Sequence, residues 1–189
     1  MDNFFEMLRI QYGEELAKEI SENRGIKRKT TFRVNTLKSN NEKIEKVLEE
    51  NNLAFRKVSW YDSAYILENS TEKDLQELDI YKNGEIYLQS LSSMLPPIVL
   101  EPKEESDILD MTAAPGGKAT QLAALTNNKA NITACEMNSI RAERLKYNIE
   151  KQGASCYVMI KDARNIDDFF KFDQILLDAP CSRKWNRRF

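Results

Sequence analysis

The side chains most able to do chemistry lie close together at the far end of the chain, where Asp178-Ala179-Pro180-Cys181-Ser182 sets a carboxylate near a thiol. A thiolate can add to an electron-poor ring such as C6 of cytosine. The adduct makes C5 enamine-like and able to attack an electrophilic carbon, while an acid held near N3 stabilises it. Loss of the C5 proton then expels the thiol. Asp178 and Cys181 are therefore the candidate catalytic pair. A lone Cys at a strand end is ordinarily a small apolar filler. The Asp and Pro beside this one, at an expected active-site edge, favour the reactive reading.

Chemistry of this kind needs a donor site nearby. Asp110-Met111-Thr112-Ala113-Ala114-Pro115-Gly116-Gly117-Lys118 joins a predicted strand to a predicted helix. Its small residues let backbone approach a ligand, and the helix start offers unpaired N–H groups to polar or anionic atoms. Thr112 and Ala119 stand where a phosphate-binding P-loop needs Gly and Ser or Thr, so that pattern fails. Glu136 ends the next predicted strand, where a carboxylate can accept from both hydroxyls of a ribose. Asp162 follows the third strand, placed to accept from an adenine amino group. Asp178 follows the fourth. A glycine turn with an acidic strand end fits a nicotinamide cofactor and S-adenosylmethionine alike. A tight turn with a surface Glu, and a turn-forming Asp162, read the same residues without a ligand.

The elements that position these residues follow from periodicity. Strands at Asp107–Met111, Asn131–Cys135, Cys156–Ile160 and Asp173–Leu177 alternate with helices from Gly116 to about Leu125 and over Ser139–Lys151. The second helix turns Ile140, Leu145 and Ile149 inward and stops at Gly153. This alternation implies a parallel α/β sheet with crossover helices. The first part of the chain has another rhythm. Two short helices fill residues 3–22, with Phe5, Leu8, Tyr12, Leu16 and Ile20 as their apolar stripe. Thr30–Thr36 alternates as a strand, Ser39 with Glu42 forms a capping box before a helix, and Ala54–Val58 and Ala64–Leu67 read as strands. The expected division is a small α+β module over 1–83 and a Rossmann-like α/β domain over 84–189.

Composition bounds what this chain can be. It has 189 residues, 41% hydrophobic and 31% charged, with a net charge of −2. That describes a folded globular chain with no run long enough for a membrane span and no basic, apolar leader. There is no His, and Cys135, Cys156 and Cys181 are widely spaced, so no metal site is expected. A cytoplasmic location is the default. The charge is unevenly spread. No acidic residue falls between Asn23 and Asn41, a stretch that holds Arg24, Lys27, Arg28, Lys29, Arg33 and Lys38. Such a stretch can neutralise RNA phosphates, or it is a solvated basic surface.

The string from Gln89, Gln-Ser-Leu-Ser-Ser-Met-Leu-Pro-Pro, then Asp110–Lys118, then Asp178–Ser182, resembles the Sun (Fmu)/nucleolar-protein family of RNA 5-methylcytosine methyltransferases. Arg33-Val34-Asn35-Thr36-Leu37-Lys38 resembles that family's N-terminal module. The resemblance implies a class I methyltransferase fold and S-adenosylmethionine held by Thr112–Lys118, Glu136, Asp162 and Asp178. It also implies a cytosine in rRNA or tRNA as substrate. Thr112 stands where members often have Cys, and Glu136 where many have Asp. In this family the covalent nucleophile is a second cysteine in a later motif, and the cysteine matching Cys181 assists product release. That later motif is absent here, so impaired activity is expected. The alternatives are a non-catalytic RNA-binding fragment or a nicotinamide-dependent oxidoreductase.

The family continues after Asp178–Ser182 with Gly-x-Gly, whereas this chain reads Arg183-Lys184-Trp185-Asn186-Arg187-Arg188-Phe189. With suitable codons, starting one base later turns the first of these residues into Gly-Ser-Gly-Thr. A frameshift after codon 182 is therefore expected, against a genuine cationic tail that contacts RNA.

Overall fold

The computed structural model describes residues 3–23 and 28–179. Arg24, Lys27, Cys181 and the tail at 183–189 lie outside the described residues. Helices α1 (Asn3–Tyr12) and α2 (Glu14–Asn23) pack on each other across Gly13. Their inward positions are Leu8 and Ala17, while Tyr12 and Leu16 of the expected stripe are exposed. Gly13 offsets the two helices, so a single periodicity does not carry across it.

Strand β1 (Thr31–Val34) leads into α3 (Asn41–Glu50), and the hairpin β2 (Phe55–Val58) and β3 (Tyr61–Leu67) follows. Short helices α4 (Glu72–Glu77) and α5 (Asp79–Lys82) then lead to β4 (Ile86–Leu88). The strands form one antiparallel sheet in the order β2-β3-β1-β4. This βαββαβ order is ferredoxin-like. Strand β4 lies in this sheet, paired with β1, so the expected boundary at 83/84 falls one strand too early. Helix α3 is capped by Asn40, whose side chain accepts from the Lys43 amide, and not by the expected Ser39. Phe32, Val34, Ile44, Leu48, Tyr65 and Leu75 form the core on one face of the sheet. The other face of β1 meets the second domain.

Helix α6 (Leu91–Leu100) opens the second domain, capped by Ser90. Then come β5 (Asp107–Asp110), α7 (Gly117–Leu125), β6 (Asn131–Cys135), α8 (Ser139–Gln152), β7 (Cys156–Met159) and β8 (Gln174–Leu176). These strands are parallel throughout, in the order β7-β6-β5-β8. From β5 the chain first winds outward through β6 and β7, then returns to the opposite side of β5. The strand order thus reverses beside β5, and open α/β sheets bind ligands at that point, outside the strands' carboxyl ends. One layer of core lies under α7 around Ile108, Leu122 and Ile132, and another under α8 around Ala134, Leu145 and Ile149. Ile140 is 71% exposed and takes no part, and Ala142 fills the inward position in its place. Among the described residues no helix is long and apolar enough to cross a membrane, and no cluster of three potential metal ligands occurs.

Candidate functional site

The glycine turn leaves β5 at Asp110, which is 1% exposed. One carboxylate oxygen accepts from the Thr112 amide at 3.3 Å, while Oδ2 has no partner among the described residues. Burial pushes the carboxyl up to about 6. The Thr112 hydrogen bond and the Lys118 charge oppose the rise, and the Asp178 charge adds to it. At Gly116 the backbone has φ +112, and a Cβ would come 3.1 Å from Leu145 Cδ1. At Gly117 a Cβ would come 3.2 Å from the Tyr87 ring. Helix α7 begins there, and the first amides of a helix lack intrahelical partners.

Across the switch point, Lys118 Nζ lies 2.6 Å from Asp178 Oδ2 and also donates to Ser93 Oγ at 3.0 Å. Thr112 Oγ1 donates to the Asp178 carbonyl at 3.0 Å. The structure therefore brings Thr112, Lys118 and Asp178 together where β5 and β8 end. A cleft of about 240 Å3 opens here, with Tyr87, Gln89, Ser90 and Ser93 facing the turn residues Thr112–Pro115, Gly117 and Lys118. A wider groove of about 730 Å3 lies in the first module, along residues 28–30 and 67–73. We place the site at the glycine turn, beside the smaller cleft, because the wider groove is lined by other residues and its Lys29 is already paired with Glu68; Glu136 and Asp162 line neither space.

Glu136 directly follows β6 and is 4% exposed. Its Oε1 accepts from the Asn138 amide at 2.9 Å, and its Oε2 faces Arg141 at 3.2 Å. Arg141 also donates to the Ala114 carbonyl at 2.9 Å, so it spans the gap between Glu136 and the turn. Asp162, at the end of β7, caps a short 3-10 turn at Ala163–Asn165 and pairs with Arg164 at 2.6 Å. That bond to Arg164 brings its carboxyl down to about 2. Its local geometry is the turn-forming one.

The basic stretch divides. Arg28 and Lys29 are exposed on the first module. Arg33, expected to face RNA, is fully buried and points into the second domain, because β1 is central and covered on both faces. Lys38, expected in the same patch, donates from Nζ to the carbonyls of Asn83 and Lys151 at 3.1 and 2.8 Å. It thereby places a cation at the carboxyl end of α8, where the helix dipole favours one. Asn35, not singled out in the sequence, is also buried. Its amide donates to Gly84 and Gln152 carbonyls at 2.8 and 2.7 Å. Arg33, Asn35 and Lys38 thus strap the first module to the second. Strand alternation put Arg33 and Asn35 on one face, but it could not show that a domain covers that face.

The two described thiols are poor nucleophiles. Cys135 is buried, donates to the Lys161 carbonyl at 3.2 Å, and has its pKa raised by burial. Burial pushes Cys156 up to about 12.

Comparison with known proteins agrees with this layout. Residues 97–186 match the sequence model of the 16S rRNA methyltransferase RsmB/F family, and residues 3–73 match that of the RsmF/B-like ferredoxin-like domain. Ribosomal RNA small subunit methyltransferase F of Shewanella piezotolerans is 37% identical over 159 residues, covering 80% of this chain and 34% of the relative. A tRNA (cytosine(49)-C(5))-methyltransferase of Pyrococcus abyssi is 38% identical over 154 residues, covering 80% of this chain and 49% of the relative. The solved methyltransferase homolog protein from Pyrococcus horikoshii superposes with a TM-score of 0.82 at 33% identity, covering 90% of this chain and 56% of that one. The chain spans between a third and a half of the length of these two curated relatives, 34% and 49%. With matches at residues 3–73 and 97–186 to the two domains of one family, and with the fold shared, the chain belongs to the RsmB/F methyltransferase family.

Proposed function

We propose that this chain is the cofactor-binding part of an enzyme that methylates C5 of cytosine in rRNA or tRNA from S-adenosylmethionine. The observation that carries the reading is the closure of the switch point. The turn after β5 and the end of β8 meet through Lys118 and Asp178 beside a cleft of about 240 Å3. The residues fit the cofactor. Asp110 keeps a buried oxygen without a partner among the described residues, Gly116 and Gly117 let the turn pack against Leu145 and Tyr87 more closely than a Cβ would allow, and Glu136 offers a carboxylate just after β6. When bound, S-adenosylmethionine supplies a methyl group on a sulfonium centre. Glu136 exchanges Arg141 for the ribose hydroxyls, and Asp162 exchanges Arg164 for the adenine amino group. Residues Thr112, Ala113, Ala114, Pro115, Gly116, Gly117 and Lys118 frame the methionine end with Asp178. Arg28 and Lys29 contribute to RNA contact, together with Arg24 and Lys27. The names of the relatives support cytosine C5 as the target atom.

Cys135 is buried and Cys156 half-buried, and both thiols are raised above their ordinary range, so on this reading the nucleophile is Cys181 or a residue outside this chain. We expect the isolated 189-residue chain to bind cofactor and to turn over little. Isothermal titration with S-adenosylhomocysteine, and separately with NADH, tests the reading. One-to-one binding of the first and none of the second is expected. A folded chain that binds neither, or binds only NADH, overturns it. Robust methylation of cytosine-containing RNA that disappears in Cys181→Ser would instead assign Cys181 as the nucleophile.

A further inference from the structure

We propose that Arg33 is a positioning residue for the cofactor turn, holding Gly117, Thr120 and Gln89 in one register so that cofactor affinity depends on its guanidinium contacts. The inference rests on the reading of the turn as the cofactor site. Arg33 comes from the first sheet, yet its hydrogen bonds go to the second domain and to the linker before it. Nη2 donates to Thr120 Oγ1 at 2.8 Å and to the Gly117 carbonyl at 3.4 Å. Thr120 Oγ1 in turn donates to the Gly116 carbonyl at 2.7 Å. The guanidinium and the threonine hydroxyl thus form a short relay that ends on the turn itself, and such chains strengthen bond by bond.

The other edge of the guanidinium fixes the cleft wall. Nε donates to Gln89 Oε1 at 3.0 Å, which sets the orientation of that amide. Gln89 Nε2 then donates to the Ser93 carbonyl at 3.0 Å and to Gln121 Oε1 at 3.1 Å. Pro97 has no N–H, so it leaves the Ser93 carbonyl without its usual helical donor, and Gln89 takes that place. Ser93 also receives Lys118. One guanidinium therefore ties together the turn, the start of α7 and the start of α6.

Stability alone is a poor reason for this arrangement. Arg33 is fully buried, Nη1 has no partner among the described residues, and no carboxylate there pairs with it. The Tyr87 ring lies 5.2 Å from the guanidinium carbon. An apolar side chain would fill the space without the cost of burying a charge. A lysine would keep the charge but lacks the planar fork that reaches Gln89 and Thr120 together.

The test is the affinity for S-adenosylhomocysteine, measured by calorimetry well below each variant's melting transition. The variants are Arg33→Lys, Arg33→Met, Thr120→Val and Asn35→Ala. Asn35 straps the same two domains but touches α8 and not the turn, so it reports on docking alone. Both Arg33 variants should bind about tenfold more weakly, equivalent to about 1.4 kcal/mol. Thr120→Val should shift affinity in the same direction by less. Asn35→Ala should lower the melting temperature and leave the affinity unchanged. Unchanged affinity in folded Arg33 variants, or an equal loss in Asn35→Ala, would overturn the proposal. If neither Arg33 variant folds, Thr120→Val decides it: full affinity in that variant would sink the idea. Failure of the unmutated chain to bind is a separate outcome that removes the cofactor reading itself, and the inference with it.

Discussion

Four carboxylates stand at the carboxyl edge of the parallel sheet, and each is held differently; Asp162 is paired with Arg164. Asp178 is half-exposed and paired with Lys118, Glu136 is buried and bridged by Arg141, and Asp110 is buried with one oxygen unpaired. On the proposed function, Glu136→Ala should weaken S-adenosylhomocysteine binding by about 1–3 kcal/mol, the cost of leaving polar groups unpaired. Calorimetry would show it, and an unchanged affinity would remove Glu136 from the ribose site. Asp110 makes a prediction about stability. Its folded pKa, about 6, is above the ordinary carboxylate value. Its contribution is therefore fully present below about pH 4 and is lost as pH rises through about 6. Asp110→Asn should accordingly be more stable than the parent at pH 7.5 by up to about 2–3 kcal/mol, with the gap closing near pH 4. Urea titrations at the two pH values check this, and a gap that widens in acid would show that the carboxyl is not raised. The carboxylates were legible in the sequence as strand ends. Their partners Arg141 and Arg164 were not, because either pairing depends on where a flexible arginine folds back.

At the scale of elements, the parallel sheet was readable because each strand is a short apolar run followed by a turn and an amphipathic helix. Strand β4 was missed because three residues, Ile86–Leu88, carry too little pattern and their pairing partner β1 is distant in sequence. Helix α6 was not read because Pro96 and Pro97 argue against a helix, yet the Ser93 carbonyl that Pro97 leaves free accepts from Gln89. Strand β8 bears on behaviour in solution. Among the described residues it pairs only with β5, and Ile175 and Leu177 are 52% and 60% exposed while Leu176 is buried. Free apolar edges template pairing with other chains. The isolated chain should therefore self-associate with rising concentration, and Ile175→Lys should reduce this. Sedimentation velocity measures it, and a concentration-independent monomer would show the edge to be covered.

For the whole molecule, the two modules meet through a buried face of β1, and this changes what the basic stretch can do. Two of its six cations, Arg33 and Lys38, are spent on holding the modules together. Replacing Lys27, Arg28 and Lys29 by Ala should flatten the salt dependence of RNA binding, by up to about 0.7 log unit per lost single-strand phosphate contact. Adding Lys38→Ala should leave that slope where it is and lower the melting temperature. An equal further drop in slope would return Lys38 to the RNA surface. The central claim is that the carboxyl edge of the parallel sheet, from the 112–118 turn to Glu136, holds S-adenosylmethionine, and a crystal structure of the chain with S-adenosylhomocysteine tests it most directly. The account predicts the ribose hydroxyls within hydrogen-bond distance of Glu136, with Arg141 displaced, and the methionine end against the 112–118 turn and Asp178. Ligand bound elsewhere, or no ligand at this edge at saturating concentration with the Glu136–Arg141 bridge intact, would contradict it.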